Sequence, residues 1–100
     1  IKISARAQGE NGATPILHVE AVDMNGNKAD AKRPAQTIQN SPDFVDYYFD
    51  MKDVFYQNEP KKKVNGGMIS SIKFYITPGY TGEIYIREIK IVPNSAIPKP

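Results

Sequence analysis

The stretch Ile69-Ser70-Ser71-Ile72-Lys73-Phe74-Tyr75-Ile76-Thr77-Pro78-Gly79-Tyr80-Thr81-Gly82-Glu83-Ile84-Tyr85-Ile86-Arg87-Glu88-Ile89-Lys90-Ile91-Val92 decides the fold class. Its first part alternates with period two. Ile72, Phe74 and Ile76 fall on one face, and Ser71, Lys73 and Tyr75 on the other, as in a half-buried strand. Pro78-Gly79-Tyr80-Thr81-Gly82 is a turn. The second strand runs from Glu83 to Val92 and changes phase midway. Ile84 and Ile86 share one parity, Ile89 and Ile91 the other. A one-residue slip turns side chains to the opposite face, so both pairs reach one face only across an extra residue. That predicts a β-bulge at Arg87-Glu88. A sheet buried on both faces is the alternative.

The same period extends outward. Ile1, Ile3, Ala5 and Ala7 alternate with Lys2, Ser4, Arg6 and Gln8. Leu17, Val19 and Ala21 form one face of a strand over 16–23, with Ile16, His18, Glu20 and Val22 on the other. Asn25-Gly26 signals a hairpin turn. Residues 28–42 are polar with two prolines and read as a loop holding one short edge strand near 36–39. Val45, Tyr47, Phe49 and Met51 alternate with Phe44, Asp46, Tyr48 and Asp50. Asp53 to Tyr56 suits one helical turn, and 58–67 a polar loop. About six strands with turns between them and no helical periodicity define an all-β chain. The expected fold is an antiparallel β-sandwich or jelly roll. It occupies 1–93 as one domain, followed by a Pro-rich tail or linker over 94–100.

Composition narrows the chemistry. The chain has 100 residues, one domain's worth. It contains no cysteine, which removes disulfides, thiolate metal sites and cysteine catalysis. One histidine, His18, makes a multi-histidine metal site untenable. Thirteen Lys and Arg against 11 Asp and Glu leave a net charge of +2, too balanced to imply nucleic acid. No stretch approaches the ~18 apolar residues of a membrane span. The opening Ile1-Lys2-Ile3-Ser4 alternates, unlike a leader peptide, so the chain reads as processed or excised.

Several pieces taken in order resemble a known family. They are Ile1-Lys2-Ile3-Ser4-Ala5-Arg6-Ala7, Leu17-His18-Val19-Glu20-Ala21-Val22-Asp23 with Asn25-Gly26, and Tyr47-Tyr48-Phe49-Asp50. The strand Ile69–Ile76, Pro78-Gly79 and the closing Gly82-Glu83-Ile84-Tyr85-Ile86-Arg87-Glu88-Ile89-Lys90-Ile91 complete the set. Together they are similar to carbohydrate-binding modules with a galactose-binding-like jelly roll, attached to bacterial secreted glycoside hydrolases. The resemblance spans 1–92 and implies a secreted or cell-surface module that binds a polysaccharide such as β-glucan, mannan or xylan. The family has further strands before the one matching Ile1-Lys2-Ile3. The chain therefore reads as lacking its first strands, through truncation or because another chain supplies them. An open edge then invites strand complementation or dimerisation. Many members hold a structural calcium through an acidic pair in the last strand. Here that pair is Arg87-Glu88, so Glu88 alone stands for it, and calcium, with its six to eight oxygen ligands, is the only cofactor in view.

Sugar binding needs flat aromatic platforms beside hydrogen-bonding groups, and tyrosine supplies both. The candidates are Tyr48, Lys73, Tyr75, Tyr85 and Arg87 on faces opposite the aliphatic stripes, with Tyr80 in the turn. The competing reading gives these tyrosines a packing role on a second sheet face. Asp23, Asn25, Asn27 and Asp30 lack the Gly and Glu of a calcium loop and read as a polar turn. Asp46 and Asp50 stand ~13 Å apart along one strand face. Paired glycosidase carboxylates sit roughly 5–10 Å apart. No nucleophile motif such as Gly-x-Ser-x-Gly occurs, so no enzyme is expected. Lys61-Lys62-Lys63 reads as a solvated loop tip. The alternative function is a structural spacer or adhesin-like interaction domain without sugar affinity.

Overall fold

Alternation in Lys2–Gly9 and Ile16–Asp23 produces the two central strands, β1 and β2. Ile3, Ala5 and Ala7 of β1 meet Leu17 and Val19 of β2 in the main core, completed by Ile38, Tyr47 and Phe49. The computed structural model describes residues 1–98. Around these strands lie β3 (Lys28–Ala31), β4 (Ala35–Thr37), β5 (Val45–Tyr48), β6 (Val54–Tyr56), β7 (Ile69–Ile76) and β8 (Gly82–Lys90). One sheet has the order β5-β1-β8. In the other, β2 pairs with β7 along one edge and with β3 and β4 along the other, and β6 follows β3. All the paired strands are antiparallel, and the two sheets form a β-sandwich.

The phase shift in the closing strand is a bulge. Ser4 pairs with Glu88 and Ala5 with Ile86, so Arg87 is the extra residue. Ile84 and Ile86 oppose Ala7 and Ala5, and Ile89 opposes Ile3, all on the core face. β7 and β8 nevertheless belong to different sheets, with the turn over 77–81 crossing between them. There Gly9 and Gly82 pair directly. A Cβ on Gly82, whose φ is +150°, would sit 2.7 Å from the Gly9 Cα and 2.6 Å from the Tyr80 hydroxyl. Only glycine permits that approach.

Three segments differ from expectation. Residues 28–31 form a strand where a loop was expected. Ala29 and Ala31 point into a second small core with Ala21, Val54 and Val64, and alanine is too weak a strand former to announce one. Residues 54–56 form β6 rather than a helical turn, because Val54, Phe55 and Tyr56 pair with Ala31, Asp30 and Ala29. The edge strand near 36–39 begins earlier, at Ala35, and ends at Thr37. Ile38 beyond it is fully buried, its amide donating to the Pro15 carbonyl at 2.9 Å. In the expected tail, residues 94–96 form one 3-10 turn. Positions 99 and 100 lie outside the described residues.

The Asn25-Gly26 hairpin is present, and Asp23 organises it. Its carboxylate accepts from the amides of Asn25 and Asn27, both at 2.9 Å, and from the Tyr56 hydroxyl at 2.7 Å. The Asp23-Asn25-Asn27 segment is thus a self-satisfied turn, as expected. The Tyr56 hydroxyl is the largest influence holding the Asp23 carboxyl below its ordinary 3.8, and the turn amides add to it against the cost of burial.

Two outcomes follow for stability. Phe49→Ala empties the centre of the main core and costs about 3–5 kcal/mol, read as a lower urea midpoint. Asp23 binds its proton more weakly folded than unfolded, so its contribution is complete above about pH 4 and lost as pH falls through the folded value. Asp23→Asn is therefore less stable at neutral pH, with a flatter loss of stability below about pH 4 in acid titration.

Candidate functional site

The sequence-derived candidates fall on two opposite outer faces and one edge. Because β7 and β8 lie in different sheets, Tyr75 and Lys73 are separated from Tyr85 and Arg87 by the thickness of the sandwich. Tyr48 joins the second pair's sheet, opposite Lys2 on the edge strand β5. The structure does not bring the set into one groove.

On the β2–β7 face, Tyr75 is directly opposite His18. The two rings stack with centroids 4.7 Å apart and planes within 2°. His18 Nε2 shares a 2.6 Å hydrogen bond with Thr77 Oγ1, which fixes the imidazole. Tyr75 is 40% exposed and Lys73 Nζ lies 5.9 Å from its ring centre. Glu20, two residues along β2, is buried beside Gln57, whose amide donates to Glu20 Oε2 at 2.8 Å and to Asp30 Oδ1 at 3.0 Å.

On the β5–β1–β8 face the rings of Tyr85 and Phe44 are already occupied. The Arg6 guanidinium lies 4.2 Å from the Tyr85 ring centre and 5.7 Å from that of Phe44. Arg87 lies 4.8 Å from Phe44 and donates to Ser4 Oγ at 3.0 Å. Ser4 is sealed from solvent beneath this layer. The Tyr85 hydroxyl donates to Glu83. Arginine over an aromatic face is favourable in its own right, so this cluster reads as a lid on the sheet. Tyr80 is likewise engaged. It covers the Gly9–Gly82 approach and donates to the Glu83 carbonyl at 3.2 Å. Glu88 pairs with Lys2 at 3.5 Å. One carboxylate held by an ammonium does not fit calcium, which requires six to eight oxygens. Among the described residues no group of three or more His, Asp or Glu could hold a metal ion.

A concave feature lies at the sandwich edge formed by β4 and β5. A cleft of about 840 Å³ is lined by Asp46 and Tyr48 of β5, by Asp50 just beyond it, by Lys32, Arg33 and Pro34 of the β3–β4 connection and by Ala35 and Gln36 of β4. Asp53, Ile97 and Pro98 complete it. That volume is in the range of small-molecule sites, roughly 300–1,000 Å³. Gln36 donates from its side chain to the Tyr48 carbonyl, tying the two walls together. Asp53 is committed to Lys63 at 2.6 Å, and that contact holds its carboxyl below the ordinary carboxylate range. The two salt bridges among the described residues, Lys2–Glu88 and Lys63–Asp53, leave Arg33, Asp46 and Asp50 out.

Sequence reasoning placed Tyr48 at a site and grouped Asp46 and Asp50 with it on one face. It missed Lys32 and Arg33, which sit in the stretch read as polar loop, and Gln36, read as the start of the short edge strand. The signal available was a dibasic pair before a proline. No family model, curated protein or solved structure matches the chain. No helix among the described residues is long and apolar enough to cross a membrane.

Phe44→Ala removes the ring that both guanidiniums share. Each contact is worth about 0.5–1 kcal/mol at an exposed site, so the variant loses about 1–2 kcal/mol in denaturant unfolding.

Proposed function

We propose that this protein is a non-catalytic carbohydrate-binding module whose polysaccharide occupies the cleft between β4 and β5. One observation carries the reading. The cleft is lined by an aromatic ring, Tyr48, a planar cation, Arg33, the carboxylates of Asp46 and Asp50, and Gln36. A pyranose has an apolar face that stacks on a ring and equatorial hydroxyls that donate to carboxylates and accept from guanidinium. The resemblance of its sequence segments to carbohydrate-binding modules supports the same reading.

The action is anchoring. Holding a neighbouring catalytic domain on a polymer raises its effective concentration there without new chemistry. A secreted or cell-surface glycoside hydrolase is the setting that suits this role. Asp46 and Asp50 act here as hydrogen-bond acceptors. The open flank beside β8 favours a second reading, an interaction or spacer domain without sugar affinity.

Affinity electrophoresis against soluble β-glucan, mannan and xylan, with pull-downs on their insoluble forms, tests the proposal. The folded protein is retarded by one of these polymers. Burying an aromatic ring is worth about 1.5–3 kcal/mol, so Tyr48→Ala weakens binding roughly tenfold or more. Arg33→Ala weakens it as well, while Tyr75→Ala and Tyr85→Ala leave it unchanged. Loss of binding in Tyr75→Ala alone would move the site to the His18 face. No binding to any polymer by folded protein would overturn the proposal in favour of the second reading.

A further inference from the structure

β8 is the outer strand of its sheet. Among the described residues it pairs with β1 alone, so its other edge has no strand partner. An unpaired edge templates pairing with another strand. Apolar surface accompanies it. Ile86 is 48% exposed and Ile89 52%, although their β1 partners Ala5 and Ile3 are fully buried, and Ile91 just beyond is 88% exposed.

The bulge gives this edge a particular symmetry. Two copies of one strand pair antiparallel about a twofold axis perpendicular to the sheet. In a regular strand, an axis between neighbouring residues opposes side chains from opposite faces. In β8 the face changes parity at Arg87-Glu88. An axis placed there opposes Ile86 with Ile89 and Ile84 with Ile91 on the core face, and Tyr85 with Lys90 on the outer face. It also opposes Arg87 with Glu88. Sliding the strands by two residues opposes Ile86 with Arg87, or Glu88 with Ile89, and the match is lost.

We propose that two copies of this chain pair antiparallel through β8 about an axis at Arg87-Glu88, merging their three-stranded sheets into one continuous sheet. The occupant is a second copy because the edge complements itself. Aliphatic meets aliphatic, a cation meets a carboxylate, and Lys90 meets an aromatic ring. The charges that would blunt an edge against pairing become attractive in this register. A perpendicular axis keeps both core faces on the same side, so the open isoleucines cover one another. The cleft at β5 lies at the opposite edge of the sheet and stays open in each copy.

Sedimentation across a concentration series, without glycan, tests this independently of the sugar reading. The chain associates to a dimer. Arg87→Glu and Glu88→Arg each set like charges against each other and weaken the dimer tenfold or more. The double variant R87E/E88R restores it to within a few-fold, which loss of the Arg87–Phe44 stack would not do. Circular dichroism verifies that each variant is folded. As a second measurement, I86C/I89C forms a covalent dimer on oxidation. Within one strand these positions are ~10 Å apart. That exceeds the roughly 7 Å reach of a disulfide, and the natural chain has no cysteine to interfere. A monomer at all concentrations, a dimer indifferent to the charge variants, or failure to crosslink overturns the proposal. So does a monomer whose β8 edge amides resist hydrogen exchange, since another segment then covers the edge.

Discussion

Between Ser4 and Ala5 the register of β1 against β8 slips by one residue, and Arg87 is left over. Much else depends on that slip. Without it, a strand with Ile84 and Ile86 on one parity and Ile89 and Ile91 on the other would turn one pair outward. With it, all the isoleucines of β8 line the core side, and the extra residue projects its guanidinium outward over Phe44. The bulge thus sets both the apolar rim of the sandwich and the cation–aromatic layer that seals Ser4.

Elements with strong alternation were legible because side chain and burial agree along them. β1, β2 and β7 have this property, and in each the aliphatic face read from sequence is the face that packs, whereas in β8 Ile84 packs and Ile86 and Ile89 stay half exposed. The phase break in β8 was legible for the same reason, since it violates a period that is otherwise regular. β3 and β6 were not. Their few inward residues are two alanines and one valine, and their pairing with each other is non-local, so no local pattern announces it. The separation of β7 from β8 was invisible too. A Pro-Gly turn between two strands looks the same whether they pair or part into two sheets.

The tyrosines show why a site is harder to read than a sheet. Alternation assigns Tyr48, Tyr75 and Tyr85 to outward faces, and all three are outward. Which outward face is a matter of sheet order, and sheet order divides them. What then occupies each ring depends on neighbours distant in sequence. Arg6 lies over Tyr85, His18 over Tyr75, and Tyr48 lines a cleft whose other wall is a segment with no periodicity.

The arginines make the distinction sharper. A guanidinium satisfies itself by stacking on a ring, by forking onto a carboxylate or by facing water. Arg6 and Arg87 stack, and Arg87 also donates to buried Ser4, so their donors and planes serve the sheet. Arg33 has no aromatic stack and no salt bridge among the described residues. It stands on a wall held to the opposite one through Gln36 and the Tyr48 carbonyl. An exposed planar donor without such partners, lining a concave space together with carboxylates, keeps hydrogen-bonding capacity for a polyhydroxylated ligand. That is the physical ground for proposing recognition at the cleft and not on either sheet face.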